Sequence, residues 1–183
     1  MNTIKIKKHH TIMVIDNYYC IDSCIIIRKD LVKLDSDKLD ALLNNCELAK
    51  YDIDLGLLTY DFEKPNNWDS ILPKFRDDNY LPMLRMNLST KICKVDYTLL
   101  KCDMNERLHV EGINTYWLDK YLPNKNLYFN PNTHQFTMWD IDDKLMALIM
   151  PCYLNDNTDI RRLVNEINYF RAEEIKQKQK EAC

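Results

Sequence analysis

The sequence predicts an α+β fold, mainly antiparallel sheet, with two short helices and a C-terminal amphipathic helix. Three observations carry that expectation. Short β-branched and aromatic runs recur, separated by Asn, Asp and Pro, which is the pattern of strands joined by tight turns. Two short helical stretches, 36–45 and 115–122, interrupt the strands. Apolar residues at spacings of three, four or five fill 157–180, as one face of a helix does.

Residues 3–7, TIKIK, alternate apolar and polar like a half-buried strand. TIMVI at 11–15 and CIIIRK at 24–29 are β-branched runs, so 3–29 reads as a hairpin or meander. The histidines 9 and 10 fall between these strands as a surface turn. In the first helix Ser36 is the cap, Asp37 sits at the positive end of the dipole, and Leu39, Leu42 and Leu43 form the apolar stripe. Residues 51–58 read as one strand kinked near Gly56, with Asp52 and Asp54 on its solvent face. Residues 63–82 hold three of the six prolines and form the best candidate for an internal boundary, or a partner-binding loop. Trp68, Phe75 and Tyr80 are expected to pack this segment down.

MLRMNL (83–88) and ICKVDYTLLK (92–101) read as two strands turning at Asn87, Ser89 and Thr90. LHVEGI (108–113) is a further strand, and Asn114 or Thr115 caps the second helix, which Pro123 ends. Trp117, Leu118 and Tyr121 share a face of that helix. NLYFN (126–130) and QFTMWDI (135–141) flank an Asn-Pro-Asn turn, and Asp142 and Asp143 turn the chain into KLMALIM. That continuous apolar run suits a central strand covered on both faces. In the long helix Ile160, Leu163, Val164, Ile167, Phe170 and Ile175 recur along one side. That stripe must pack on its own domain or on a second chain, and the sequence is compatible with both.

Composition narrows function by exclusion. The 183 residues suit one domain over 1–154, with half-repeats at 1–62 and 83–154, followed by a helical segment at 155–183. Hydrophobic content of 46% and charged content of 29% are ordinary for a globular chain. Two glycines, Gly56 and Gly112, cannot write a P-loop or a Rossmann phosphate loop. The net charge of −3 argues against broad DNA binding by an isolated monomer. Seven cysteines, odd in number and scattered, read as reduced thiols in a cytoplasmic protein, and the spacing of Cys20 and Cys24 lacks the partners zinc needs. No apolar run reaches the roughly 20 residues of a membrane span, and no signal peptide is expected. There is no G-x-S-x-G and no H-E-x-x-H, and His109 and His134 read as structural. No catalytic residue, metal site or cofactor is therefore expected. The bias toward Asn, Asp, Lys, Ile and Tyr suggests an AT-rich genome.

Residues 108–154 resemble the C-terminal half-domain of bacterial DNA polymerase sliding clamps. INTYWLDKYL is similar to that family's short helix and its approach. LMALIMPCYL is similar to its last strand and tail, with Met150, Pro151 and Leu154 matching, while Cys152 and Tyr153 stand where the family has Met and Arg. The strands around SDKLDALLNN read as a first copy of the same unit. The resemblance implies a non-enzymatic domain that closes into rings around DNA. It also implies that Met150, Pro151 and Leu154 line a pocket receiving partner peptides. Two features depart from the family: residues 155–183 continue past the tail, and helix 36–45 is acidic where clamps are basic.

The function expected is that of a non-enzymatic phage or mobile-element binding protein, clamp-like, acting in DNA transactions through protein contacts. The alternatives are an inhibitor of a host defence nuclease and a virion structural component. A protein partner is expected, with homo-oligomerisation compatible and no membrane association. The expected contact residues are Met150, Pro151 and Leu154 with Ile160, Leu163, Ile167 and Phe170 of the long helix.

Overall fold

Among the described residues every pairing in the main sheet is antiparallel, and eleven strands take part. The computed structural model describes residues 2–5, 11–22, 24–60, 63–66, 68–92, 94–104, 106–121, 126–151 and 158–181. The first half of the chain contains β1 (Asn2–Ile4), β2 (Thr11–Ile15), β3 (Tyr18–Ile21), β4 (Ile25–Arg28), β5 (Val32–Leu34), α1 (Asp37–Asn44), β6 (Leu48–Asp52) and β7 (Leu57–Thr59). A single turn, α2 (Trp68–Ile71), leads to the second half: β8 (Leu81–Ile92), β9 (Val95–Met104), β10 (Arg107–Asn114), α3 (Thr115–Tyr121), β11 (Leu127–Asn130), β12 (Gln135–Trp139) and β13 (Leu145–Ile149). Helix α4 (Thr158–Glu181) follows. The fold is α+β and mainly antiparallel, as the sequence predicts. No described helix is long and apolar enough to cross a membrane.

The strand order is β10-β9-β8-β11-β12-β13-β4-β3-β2-β6-β7, and it repeats a unit. In each half a three-strand meander precedes a helix, and the first strand of the meander pairs with the first strand after the helix. The pairs are β2 with β6 and β8 with β11. The halves join where β13 pairs with β4.

Alternation along the strands sets the two faces. Ile25 and Ile27 enter the larger core, while Ile26 faces the other side. Leu39 and Leu43 of α1 and Trp117 and Leu118 of α3 all join that larger core with Phe129 and Phe136, so both helices cover one face. The opposite face is covered by the connection at 63–80. Trp68 is buried against Ile15, Cys20, Ile26 and Leu148, and Tyr80 meets Trp139 edge-on at 5.5 Å. Lys64 reaches Asp16 at 3.0 Å, and Arg76 reaches Asp143 at 3.0 Å while lying 4.5 Å over the Tyr128 ring. The proline-rich segment is thus a packed strap, not a loose loop, although Phe75 is exposed rather than packed. β4 and β13 are buried on both sides, which is why each reads as an unbroken apolar run.

Turn chemistry replaces the missing glycines. Asp16, Asp22, Lys94, Glu106, His134 and Asp143 all hold positive φ at hairpin connections. Asp and His tolerate that region better than most residues, and Lys94 and Glu106 accept a cost of about 1 kcal/mol each. The turn at 140–144 is tied by Asp140, whose Oδ1 accepts from the backbone N–H of Asp142 and of Lys144 at 3.0 and 2.9 Å.

Three local expectations are corrected. Residues 51–58 are not one kinked strand but the hairpin β6–β7, because Gly56 takes φ +60 and Asp52 Oδ1 accepts from Leu55 N–H at 3.0 Å. Asn87, Ser89 and Thr90 do not turn the chain. They lie inside β8, which bulges between Arg85 and Ser89 and turns only near Lys94. β1 does not join the meander but pairs in parallel with β5. Residues His9 and His10 and the N-cap side of α4 lie outside the described residues.

Candidate partner-binding surface

Helix α4 docks on its own chain. Its half-buried side carries Ile160, Val164, Ile167 and Ile175, with Asn168 and Arg171 between them. Among the described strands β10 ends the sheet, so one row of its backbone groups has no partner in a described strand. Asn168 supplies a substitute. Its Oδ1 accepts from Leu108 N–H at 2.7 Å, and its Nδ2 donates to Leu108 O at 3.1 Å. The side-chain amide thereby reproduces the two bonds a neighbouring residue would make. Arg171 pairs with Asp103 on β9 beside it.

The apolar stripe expected on α4 is therefore two stripes. Ile160 and Ile167 face the sheet, whereas Leu163 is 45% and Phe170 65% exposed. Tyr169, which the periodic pattern had not marked, is 64% exposed beside Phe170, their rings 5.8 Å apart and edge-on. A depression of about 630 Å³ runs along this side, lined by Arg161, Arg162, Asn165, Glu166, Tyr169 and Phe170.

Met150 and Pro151 follow β13. Met150 donates its N–H to Cys24 O at 3.0 Å and leaves half its side chain in solvent. Pro151 is half-buried. Leu154 lies outside the described residues, so the three tail residues are not all placed. Other apolar side chains reach solvent on the β8–β9 ribbon (Leu84, Leu88 and Val95) and at the β6–β7 end of the sheet (Leu55, Leu57 and Tyr60).

The fold also assembles a trio that spacing alone did not suggest. Cys102 on β9 lies opposite His109 on β10, and Glu111 follows two residues on. His109 Nε2 lies 3.0 Å from Glu111 Oε1 without hydrogen-bond alignment, and its ring stacks on Phe129 at 5.0 Å. Burial, then Asp103 and Glu111, pushes the Cys102 thiol up to about 11. A nucleophilic cysteine needs the reverse, a cationic neighbour that favours thiolate. The trio is therefore packed as a core edge and lacks the electrostatics of a reactive thiol. Among the described residues no group of three His, Cys, Asp or Glu side chains is placed to hold a metal.

Asn168 is the docking residue that sequence reasoning missed, as Tyr169 is on the exposed side. The signal for Asn168 was an uncharged polar side chain inside the i, i+4, i+7 pattern, where it looks like a break in the stripe. Comparison with known proteins finds no family model, no curated protein and no solved structure that matches the chain.

Proposed function

We propose that the chain is a non-enzymatic binding module with the plan of a clamp domain, serving DNA transactions of a phage or mobile element through contacts with proteins. The observation that supports this reading is the repeated sheet unit. The two halves, each carrying strands, a helix and returning strands and joined by the β13–β4 pairing with both helices on one core, support the two strand–helix–sheet repeats that the resemblance at 108–154 implies for one clamp domain. The contact residues on this reading are Met150, Pro151 and Leu154 at the tail, with Leu163 and Phe170 outward on α4.

Charge favours protein contacts over a DNA track. The exposed side of α1 presents Asp37 against Lys38. α3 presents Asp119, 2.7 Å from Arg85. Neither helix offers the basic row that phosphate neutralisation requires.

The test is mass in solution by light scattering, with and without duplex DNA, together with retention on circular and linearised plasmid. A closed assembly held on circles and lost on linearisation is the expected result. A monomer or dimer indifferent to DNA overturns the ring mechanism.

A further inference from the structure

We infer that α4 is a self-pairing helix, its outward face packing antiparallel on the same face of a second copy of the chain. This goes beyond the clamp-like reading and does not depend on it. The docked side of α4 centres on Val164 and Arg171. The outward side, half a turn round the helix, centres on Arg162, Tyr169 and Glu173, all exposed. Isolated aromatic side chains on a solvated face need no explanation, but two adjacent rings beside a depression form a patch.

The occupant is set by charge order. Along the exposed face the sequence runs Asp159, Arg162, Glu166, the aromatic pair, Glu173, Lys176. Turned end over end about the level between residues 167 and 168, this order is complementary to itself. Asp159 then lies opposite Lys176 of the second copy, and Arg162 lies opposite Glu173, each pair occurring twice by symmetry. The two Tyr169 rings fall about 4.5 Å apart along the axis, from the rise of 1.5 Å per residue, and Phe170 flanks them. A parallel pairing instead sets Arg162 against Arg162 and Glu173 against Glu173, which is repulsive.

Within one copy, Arg162 already meets Glu166 at 3.0 Å and Lys176 meets Glu173 at 2.9 Å. These pairs hold the long side chains extended along the face. In the dimer they join into a continuous ladder across the two helices. An interface of this isologous type closes on itself, so the α4 contact joins two chains and leaves the other surfaces of each free to assemble.

The experiment is sedimentation velocity on the full chain without DNA, at low and high salt, with circular dichroism to confirm folding. Wild type is expected to dimerise, more weakly at high salt. Arg162→Glu and Glu173→Arg each place like charges in register and are expected to weaken association by about tenfold or more. Mixing the two variants restores attraction at both sites and gives a heterodimer, and the double variant R162E/E173R regains the homodimer. Tyr169→Ser weakens association at all salt concentrations. A wild type that stays monomeric overturns the inference, as does a dimer untouched by the single reversals or a folded double variant that stays monomeric.

Discussion

Replacing Asn168 with Ala tests the docking of α4 most directly. The substitution removes both bonds to Leu108, 2.7 and 3.1 Å long, and shortens a half-buried side chain. Each such bond contributes a net 0.5–1.5 kcal/mol, so the clasp contributes about 1–3 kcal/mol to holding the helix on β10. That energy acts on a local opening, since α4 meets the sheet at the edge strand β10 and, through Arg171, at Asp103 of β9, and contributes no side chain to the large core. Native-state hydrogen exchange reads it. Amide protection at Leu108 and through 160–175 should fall by roughly 5- to 150-fold, while β2, β3 and β4 keep theirs. Asn168→Asp should not rescue, because it retains an acceptor for Leu108 N–H but sets a carboxylate oxygen against Leu108 O. Unchanged exchange in α4 would refute the clasp. A uniform loss across the central strands would refute its local character.

Two further outcomes follow from the electrostatics. The Arg28 hydrogen bond, then the backbone N–H of Lys144, hold Asp140 below the usual carboxylate value. A depressed carboxylate adds stability that is complete above its unfolded value of about 4 and is lost as pH falls through the folded value. The gap in urea midpoint between wild type and Asp140→Asn should therefore be full at neutral pH and close below about pH 4; a gap independent of pH contradicts the pairing. The Cys102 thiol, raised to about 11, should alkylate in the native protein at pH 8 on the order of a hundredfold more slowly than in urea. Equal rates, read by mass spectrometry of the Cys102 peptide, contradict its burial.

Much of the architecture was legible because strands and helices announce themselves by period. The apolar run KLMALIM marked a strand covered on both faces and the β-branched run at 24–29 marked a strand, and both are central. Ser36 marked its helix, and its Oγ accepts from Leu39 N–H. Asn114 marked another, its Oδ1 accepting from Tyr116 N–H at 3.0 Å. Errors fell where a local signal has two solutions. Gly56 fits a bulge or a hairpin turn equally well, and pairing of β6 with β7 decided for the hairpin. Asn87, Ser89 and Thr90 are turn formers, but the ladder from Leu84 to Ile92 against β9 absorbs them as a bulge. The candidate surface was half legible: Leu163 and Phe170 were marked, but as one stripe with Ile160 and Ile167.

The sequence by itself determined the class of the fold, the element types, and the exclusion of glycine-loop nucleotide binding, because composition and periodicity are properties of short windows. Tertiary structure alone decided which strands meet, that the proline-rich segment straps the second face, and that α4 lies on its own β10 edge. Those outcomes rest on pairing between residues far apart in sequence, such as Asn168 with Leu108 and Trp68 with Leu148. No local window contains both partners, so no local pattern can report them.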